Sequence, residues 1–144
     1  MVQTLPALSV ALVAACTTVA GCGKGGEKQY PVSGTVTVDG KGGDGVLLLF
    51  HPEKTTGDVG AATSDANGKY NAVYKTKPGL PAGKYKVTAS WPDPAKRNIP
   101  VSMGATPDIP DLLRSRYAIR DRSEITVEVS ASTKDLPPIE LTTK

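Results

Sequence analysis

The sequence predicts an all-β protein, a sandwich of about seven short strands, and three observations carry that prediction. Apolar residues recur at every second position in one segment after another. Turn signatures separate those segments at hairpin spacing. Glycine (15 residues) and proline (12) are plentiful, which favours many turns and short strands over long helices.

The elements follow in order. Tyr30-Pro31-Val32-Ser33-Gly34-Thr35-Val36-Thr37-Val38 places Val32, Val36 and Val38 on one face, with Gly34 at the same parity, and Asp39-Gly40 offers a tight turn. Residues 45–51 contain Val46-Leu47-Leu48-Leu49-Phe50, a continuous apolar run that predicts burial on both faces or a strand under a loop. Residues 59–64 form a third, smaller strand. Asp65-Ala66-Asn67-Gly68 makes a turn, with Gly68 suited to a left-handed conformation, and Lys69-Tyr70-Asn71-Ala72-Val73-Tyr74 completes a hairpin. Residues 78–83, rich in proline and glycine, bend the chain before a strand whose Tyr85, Val87, Ala89 and Trp91 face the core. Ile125, Val127 and Val129 then alternate with Thr126, Glu128 and Ser130, and residues 136–141 supply the last strand.

Residues 92–122 interrupt this pattern, and connections beyond about 12 to 15 residues are commonly functional or disordered. Residues 92–107 read as irregular, whereas Asp111-Leu112-Leu113-Arg114-Ser115-Arg116-Tyr117, after Pro110, predicts about two helical turns with Leu113 and Tyr117 on one face. That face either plugs one end of the sandwich or forms a binding surface. Lys96, Arg97, Arg114, Arg116, Arg120 and Arg122 outnumber Asp93, Asp108, Asp111 and Asp121. The excess makes either a solvated face or a basic patch suited to anionic wall polymer, lipid or protein. The candidate binding surface is therefore Trp91 with Arg114, Arg116, Arg120 and Arg122. Trp91 shares its period with Val87 and Ala89, so it reads first as core and second as a platform for a sugar.

The N-terminus carries an address. Residues 5–19 are an uncharged run dominated by Leu, Val and Ala, too short to cross a bilayer comfortably, as in a signal peptide. Met1 to Thr4 hold no Lys or Arg, which leaves the amino terminus, or an upstream start codon, to supply the positive charge of a signal peptide. Val19-Ala20-Gly21-Cys22 reads as a bacterial lipobox, in which the thiol of Cys22 receives a diacylglycerol and a peptidase cuts before it. Val13-Ala14-Ala15-Cys16 satisfies the same pattern but leaves an apolar stretch of only about eight residues. Cys22 is therefore preferred over Cys16, with ordinary secretion as the plain alternative. Each acyl chain contributes about 0.8 kcal/mol per buried CH₂, so two or three chains on one residue anchor a protein stably. The expected organisation is a signal peptide over residues 1–21, a flexible polar tether over 22–29 and one domain over 30–144.

Candidate chemistry is thin. The chain has 2 cysteines, and once Cys16 is removed and Cys22 acylated no thiol remains for a disulfide, a metal or a nucleophile. His51 is the single histidine, which rules out imidazole clusters and histidine pairs, and it is expected to end a strand. Asp65 and Asn67 offer oxygen ligands to calcium without the later bidentate Glu of an EF-hand loop, so an Asx-bonded turn is preferred. Ser33, Ser64 and Ser123 lack a nucleophile context such as Gly-x-Ser-x-Gly. A net charge of +3 is too small to suggest nucleic acid.

Pro31-Val32-Ser33-Gly34-Thr35-Val36, then Thr63-Ser64-Asp65-Ala66-Asn67-Gly68-Lys69-Tyr70, then Pro81-Ala82-Gly83-Lys84-Tyr85-Lys86-Val87, occur in that order. Together they resemble the carboxypeptidase regulatory-like domain. With the lipobox in front and Leu136-Pro137-Pro138-Ile139-Glu140-Leu141 behind, the chain is similar to small lipoproteins of planctomycete bacteria. The resemblance covers nearly all of residues 30–141 and implies a seven-stranded transthyretin-like or Ig-like sandwich with one long loop carrying a short helix. Its motifs are turn and strand residues, specific for fold and nearly silent on activity. The expectation is a lipid-anchored, non-enzymatic binding or structural module of the cell envelope, facing the periplasm or the cell surface, without a cofactor or a metal. Its partners would be the membrane through the lipid and an envelope protein or polysaccharide. The alternative is an envelope hydrolase or a carbohydrate-binding module.

Overall fold

A computed structural model describes residues 27–54, 57–98 and 108–144. The signal segment, Cys16, Cys22, most of the tether and residues 99–107 lie outside the described residues. The strands are β1 (Gln29–Tyr30), β2 (Ser33–Val38), β3 (Lys41–Gly42), β4 (Leu47–Pro52), β5 (Gly60–Thr63), β6 (Lys69–Asn71), β7 (Val73–Tyr74), β8 (Lys77–Pro78), β9 (Leu80–Pro81), β10 (Gly83–Ser90), β11 (Thr126–Val129) and β12 (Ile139–Leu141). The protein is all-β, as its periodicity predicts. One antiparallel sheet runs β11-β10-β4-β5-β7-β8; the other runs β12-β2-β3 with β6 also paired to β2, and β1 pairs β9. Within the second sheet β12 lies parallel to β2, so the last strand returns along the first long one.

The core sits between the sheets. Val36 and Val38 from β2, Leu48 and Phe50 from β4, Tyr85, Val87 and Ala89 from β10 and Val127 and Val129 from β11 are all buried in one cluster. Alternation dictates this: each strand sends every second side chain inward. Burial of each large apolar side chain contributes roughly 1.5–3 kcal/mol. In β4 the continuous apolar run is not buried equally on both faces, since Leu48 and Phe50 are fully enclosed while Leu47 and Leu49 are half-buried.

Three expectations need correction. The strand expected over residues 69–74 is broken at Ala72. β6 pairs β2 whereas β7 pairs β5, so the chain crosses from one sheet to the other at that residue. The turn at residues 65–68 thus joins two sheets instead of closing a hairpin within one. The crossing seats Tyr70 opposite Gly34, against whose Cα its hydroxyl lies, with the ring of Phe50 6.1 Å away. Any side chain at Gly34 would collide with Tyr70. The tether is also shorter than its composition suggests, because Gln29 already pairs with Pro81.

The third correction concerns the helix expected over residues 111–117. The chain makes successive turns there, with Arg114 and Ser115 both left-handed (φ 52° and 56°), a conformation that no right-handed helix contains. The short helical pieces are instead 3₁₀ turns at Pro94–Lys96 and Arg120–Arg122. The Asp111 carboxylate takes the N–H of Ser115, which a helix would give to the Asp111 carbonyl, as well as that of Leu113.

Candidate functional site

The long connection is where sequence places a binding surface, and its descending arm, residues 108–125, runs antiparallel beside β10. Trp91 lies just past the end of β10. Its carbonyl accepts from the N–H of Leu112 (2.9 Å), and the N–H of Ala89 donates to the carbonyl of Tyr117 (3.0 Å). Further along, the N–H of Val87 donates to the carbonyl of Ile125 (2.9 Å). The arm therefore continues the sheet's edge as an irregular strap.

Asp111 fastens the head of that strap. One carboxylate oxygen accepts the N–H of Trp91 (2.8 Å) and of Leu113 (3.0 Å), and the other accepts the N–H of Ser115 (2.9 Å). Leu113 inserts into the core and is 1% exposed. Tyr117 packs against the same core and its hydroxyl accepts the N–H of Thr142 (3.3 Å). Ser123 closes the lower end through its hydroxyl, which donates to the carbonyl of Val87. Leu113 and Tyr117 thus both turn inward as expected, by way of turns and not of helical spacing.

The five residues expected to share a binding surface divide into two groups. Trp91 is half-buried against the core, and its indole N–H donates to the carbonyl of Asp44 (2.9 Å). Arg120 bonds the carbonyl of Pro52 (2.9 Å). Both hold neighbouring segments together. Arg97, from the wider patch, also bonds the Asp44 carbonyl (2.6 Å) and sits 3.7 Å from the Asp44 carboxylate. Arg114, Arg116 and Arg122 are exposed and, among the described residues, engage in no side-chain hydrogen bond or ion pair.

Elsewhere, side chains with chemical potential meet only in pairs, apart from one cleft that Ser33, Asp65 and Asp135 share. His51 stands on β4 with its Nε2 3.0 Å from the Thr88 hydroxyl. Its pKa is lowered, first by partial burial, which disfavours the imidazolium, and then by the nearby Arg120. Ser33 donates to Asp135 (2.5 Å), and Ser64 donates to the carbonyl of Gly43 while accepting the N–H of Val46 (2.8 Å). Asp65 forms the Asx turn, accepting from the N–H of Asn67 (2.8 Å) and of Lys69 (2.9 Å), and Gly68 is left-handed at φ 78°. Among the described residues no three His, Cys, Asp or Glu side chains gather as metal ligands.

A cleft of about 540 Å³ opens beside β2 and β6, lined by Ser33, Thr35, Asp65, Lys69, Tyr70 and Asp135 among others. Gly34 also lines this cleft, and the buried hydroxyl of Tyr70 has no hydrogen-bond partner among the described residues. Burial pushes its pKa up to about 12, so it stays neutral.

Asp111 is the residue that sequence reasoning undervalues, since it entered only as one acid against a basic patch. Its signal was present: an Asp directly after proline, ahead of two leucines, is a residue placed to cap N–H groups two and four positions on. No family model matches this chain, and no curated protein matches it.

Proposed function

We propose that the chain is a cell-envelope lipoprotein, acylated at Cys22, whose transthyretin-like sandwich serves as a binding or structural module and not as an enzyme. The lipobox Val19-Ala20-Gly21-Cys22 behind an uncharged apolar run supports the anchoring. The observation that carries the non-enzymatic reading is the employment of the polar side chains. Ser33, Ser64, Ser123, His51 and Asp65 each stabilise a turn or strand junction, and although the Ser33 hydroxyl meets the Asp135 carboxylate and His51 meets the Thr88 hydroxyl, among the described residues no carboxylate hydrogen-bonds His51 to complete a hydroxyl–histidine–acid set. The resemblance to the carboxypeptidase regulatory-like domain supports the same reading, because such domains accompany catalysts without doing chemistry themselves.

Metabolic labelling with palmitate in a bacterial host tests the anchor. The wild-type chain and a Cys16→Ser variant take up label, and Cys22→Ser does not; label retained by Cys22→Ser overturns the assignment. Esterase, glycosidase or peptidase turnover that disappears on changing His51 or Asp65 while the fold persists would overturn the non-enzymatic part.

A further inference from the structure

We infer that the outer face of the six-stranded sheet, around Val59, Val73 and Pro78, rests on the anionic surface of the bilayer that holds the Cys22 lipid. The inference builds on the proposed anchor, which brings this face within reach of lipid, and adds which side of the domain meets the membrane.

The face is apolar where the outer side of an antiparallel sheet is commonly polar. In β4, β5 and β7 the inward positions are Leu48, Phe50, Ala62 and Tyr74, all buried, so their neighbours in sequence point outward. Leu49 pairs with Ala61, Ala61 with Val73 and Val73 with Pro78, which sets four apolar side chains in one row across four strands. Val59, two residues before Ala61, continues the same face. Leu49 and Ala61 are half-buried, whereas Val59 (42%) and Val73 (41%) are exposed. A contiguous apolar patch of this kind marks a contact surface. The row ends at β8, two residues long, where Pro78 has no N–H to give and guards the edge against a further strand. Contact is therefore made through the face and not along the edge.

Two observations name lipid as the occupant. The first is the root of the tether, which lies at this corner: the Glu27 carboxylate accepts from the hydroxyl of Tyr74 (3.4 Å), the residue after Val73, and Glu27 lines one cleft with Lys75, Lys77 and Pro78. Five residues separate Cys22 from Glu27, a reach of at most about 18 Å, so a lipid on Cys22 holds this corner close to the headgroups. The second is a rim of lysines. Lys75 and Lys77 stand at the β7–β8 turn, and Lys54 and Lys84 share a further cleft with Glu27. With Lys24 and Lys28 of the tether they outnumber Glu27, Glu53, Asp58 and Glu128, the acids of the same end, of which Asp58 is paired with Lys75 (2.9 Å). Valines that enter the headgroup boundary, rimmed by lysines that reach anionic phosphates, make one amphipathic surface.

The test uses residues 22–144, which contain every strand and every residue of the core cluster, with the thiol of Cys22 coupled to a maleimide lipid in vesicles. Coupling replaces acylation, so the result does not depend on whether cells lipidate Cys22, which palmitate labelling decides separately. Val73→Trp adds a second tryptophan on the proposed face. Glu140→Trp adds one on the outer side of the other sheet, where Glu140 is exposed between the buried Ile139 and Leu141. The vesicles contain phosphatidylglycerol and brominated acyl chains, which quench tryptophan at short range. Emission from Val73→Trp is expected to fall about twofold on these vesicles. Glu140→Trp should lose no more than the wild-type chain, whose Trp91 stands past the far end of β10. Val59→Asp added to Val73→Trp restores most of the emission with circular dichroism unchanged, and so does phosphatidylcholine in place of phosphatidylglycerol. Equal quenching in Val73→Trp and Glu140→Trp, or none in Val73→Trp, overturns the inference; quenching as strong on phosphatidylcholine overturns the role of the lysines. A thiol-capped chain that dimerises in free solution, and loses the dimer with Val59→Asp, would give the face to a second copy and overturn the inference likewise.

Discussion

The paired sheets and the strap over residues 108–125 close the same core by different means. The sheets do it by repetition: Val36, Leu48, Phe50 and Val87 are each fully enclosed, and along each strand the inward positions recur at every second residue. The strap does it by a few individual bonds. Leu113 is its one fully buried side chain; Asp111, Tyr117 and Ser123 hold the rest through hydrogen bonds to backbone. The sheets are thus robust to loss of any one polar group, whereas the strap depends on each of its fasteners.

Substitutions sharpen this contrast. Phe50→Ala should have the largest effect, about 3–5 kcal/mol in urea denaturation, because it opens a cavity where the two sheets meet. Leu113→Ala should lie near the lower end of the range for a buried leucine, about 2 kcal/mol, because an irregular strap collapses into the space more readily than a sheet. A loss from Leu113→Ala as large as that from Phe50→Ala would make the strap as rigid as the sheets and erase the distinction. Asp111→Ala should cost about 1–3 kcal/mol, by leaving three N–H groups without their acceptor. Hydrogen exchange would quicken over residues 111–118 while the amides of β4 and β10 keep their protection.

The two smallest effects probe single polar groups. Tyr70→Phe should leave stability unchanged or raise it by up to about 1 kcal/mol, since the hydroxyl it removes is buried without a partner among the described residues. A clear destabilisation would reveal a bond to that hydroxyl. His51 gives a pH signature. Its folded pKa lies below the unfolded value of about 6.5, so the unfolded chain binds more protons in the window beneath 6.5. Stability from this group is complete above that pH and declines as pH falls through it. His51→Gln should flatten the slope of stability against pH between about 5 and 7; an unchanged slope would assign the dependence elsewhere.

The same contrast explains what was legible in the sequence. A period of two names the inward face of a strand, so Val32, Val36, Val38, Val87 and Ala89 were readable one by one. It does not name the partner strand. Nothing in Lys69-Tyr70-Asn71-Ala72-Val73-Tyr74 announces that pairing changes sheets at Ala72, because alternation continues across the break; only the small residues at Gly34 and Ala72, beside the large Tyr70, hint at a crossing. The strap was misread for a related reason. Leu113 and Tyr117 stand four apart, which is helical spacing, but the Asp111 carboxylate takes the Ser115 N–H that a helix would give to the Asp111 carbonyl. Side-chain to backbone bonds between distant residues, such as Trp91 to Asp44 or Arg120 to Pro52, have no period at all. That is why the basic patch looked uniform in sequence and proves divided in space.

The central claim is that this domain acts at the end of a lipid on Cys22. Intact mass of the mature protein, purified from membranes, tests it most directly. The account predicts a chain that begins at Cys22 and carries the added mass of a diacylglyceryl group, with or without a further acyl chain. A mature chain that begins at Cys16, or one that carries no lipid at all, would contradict it.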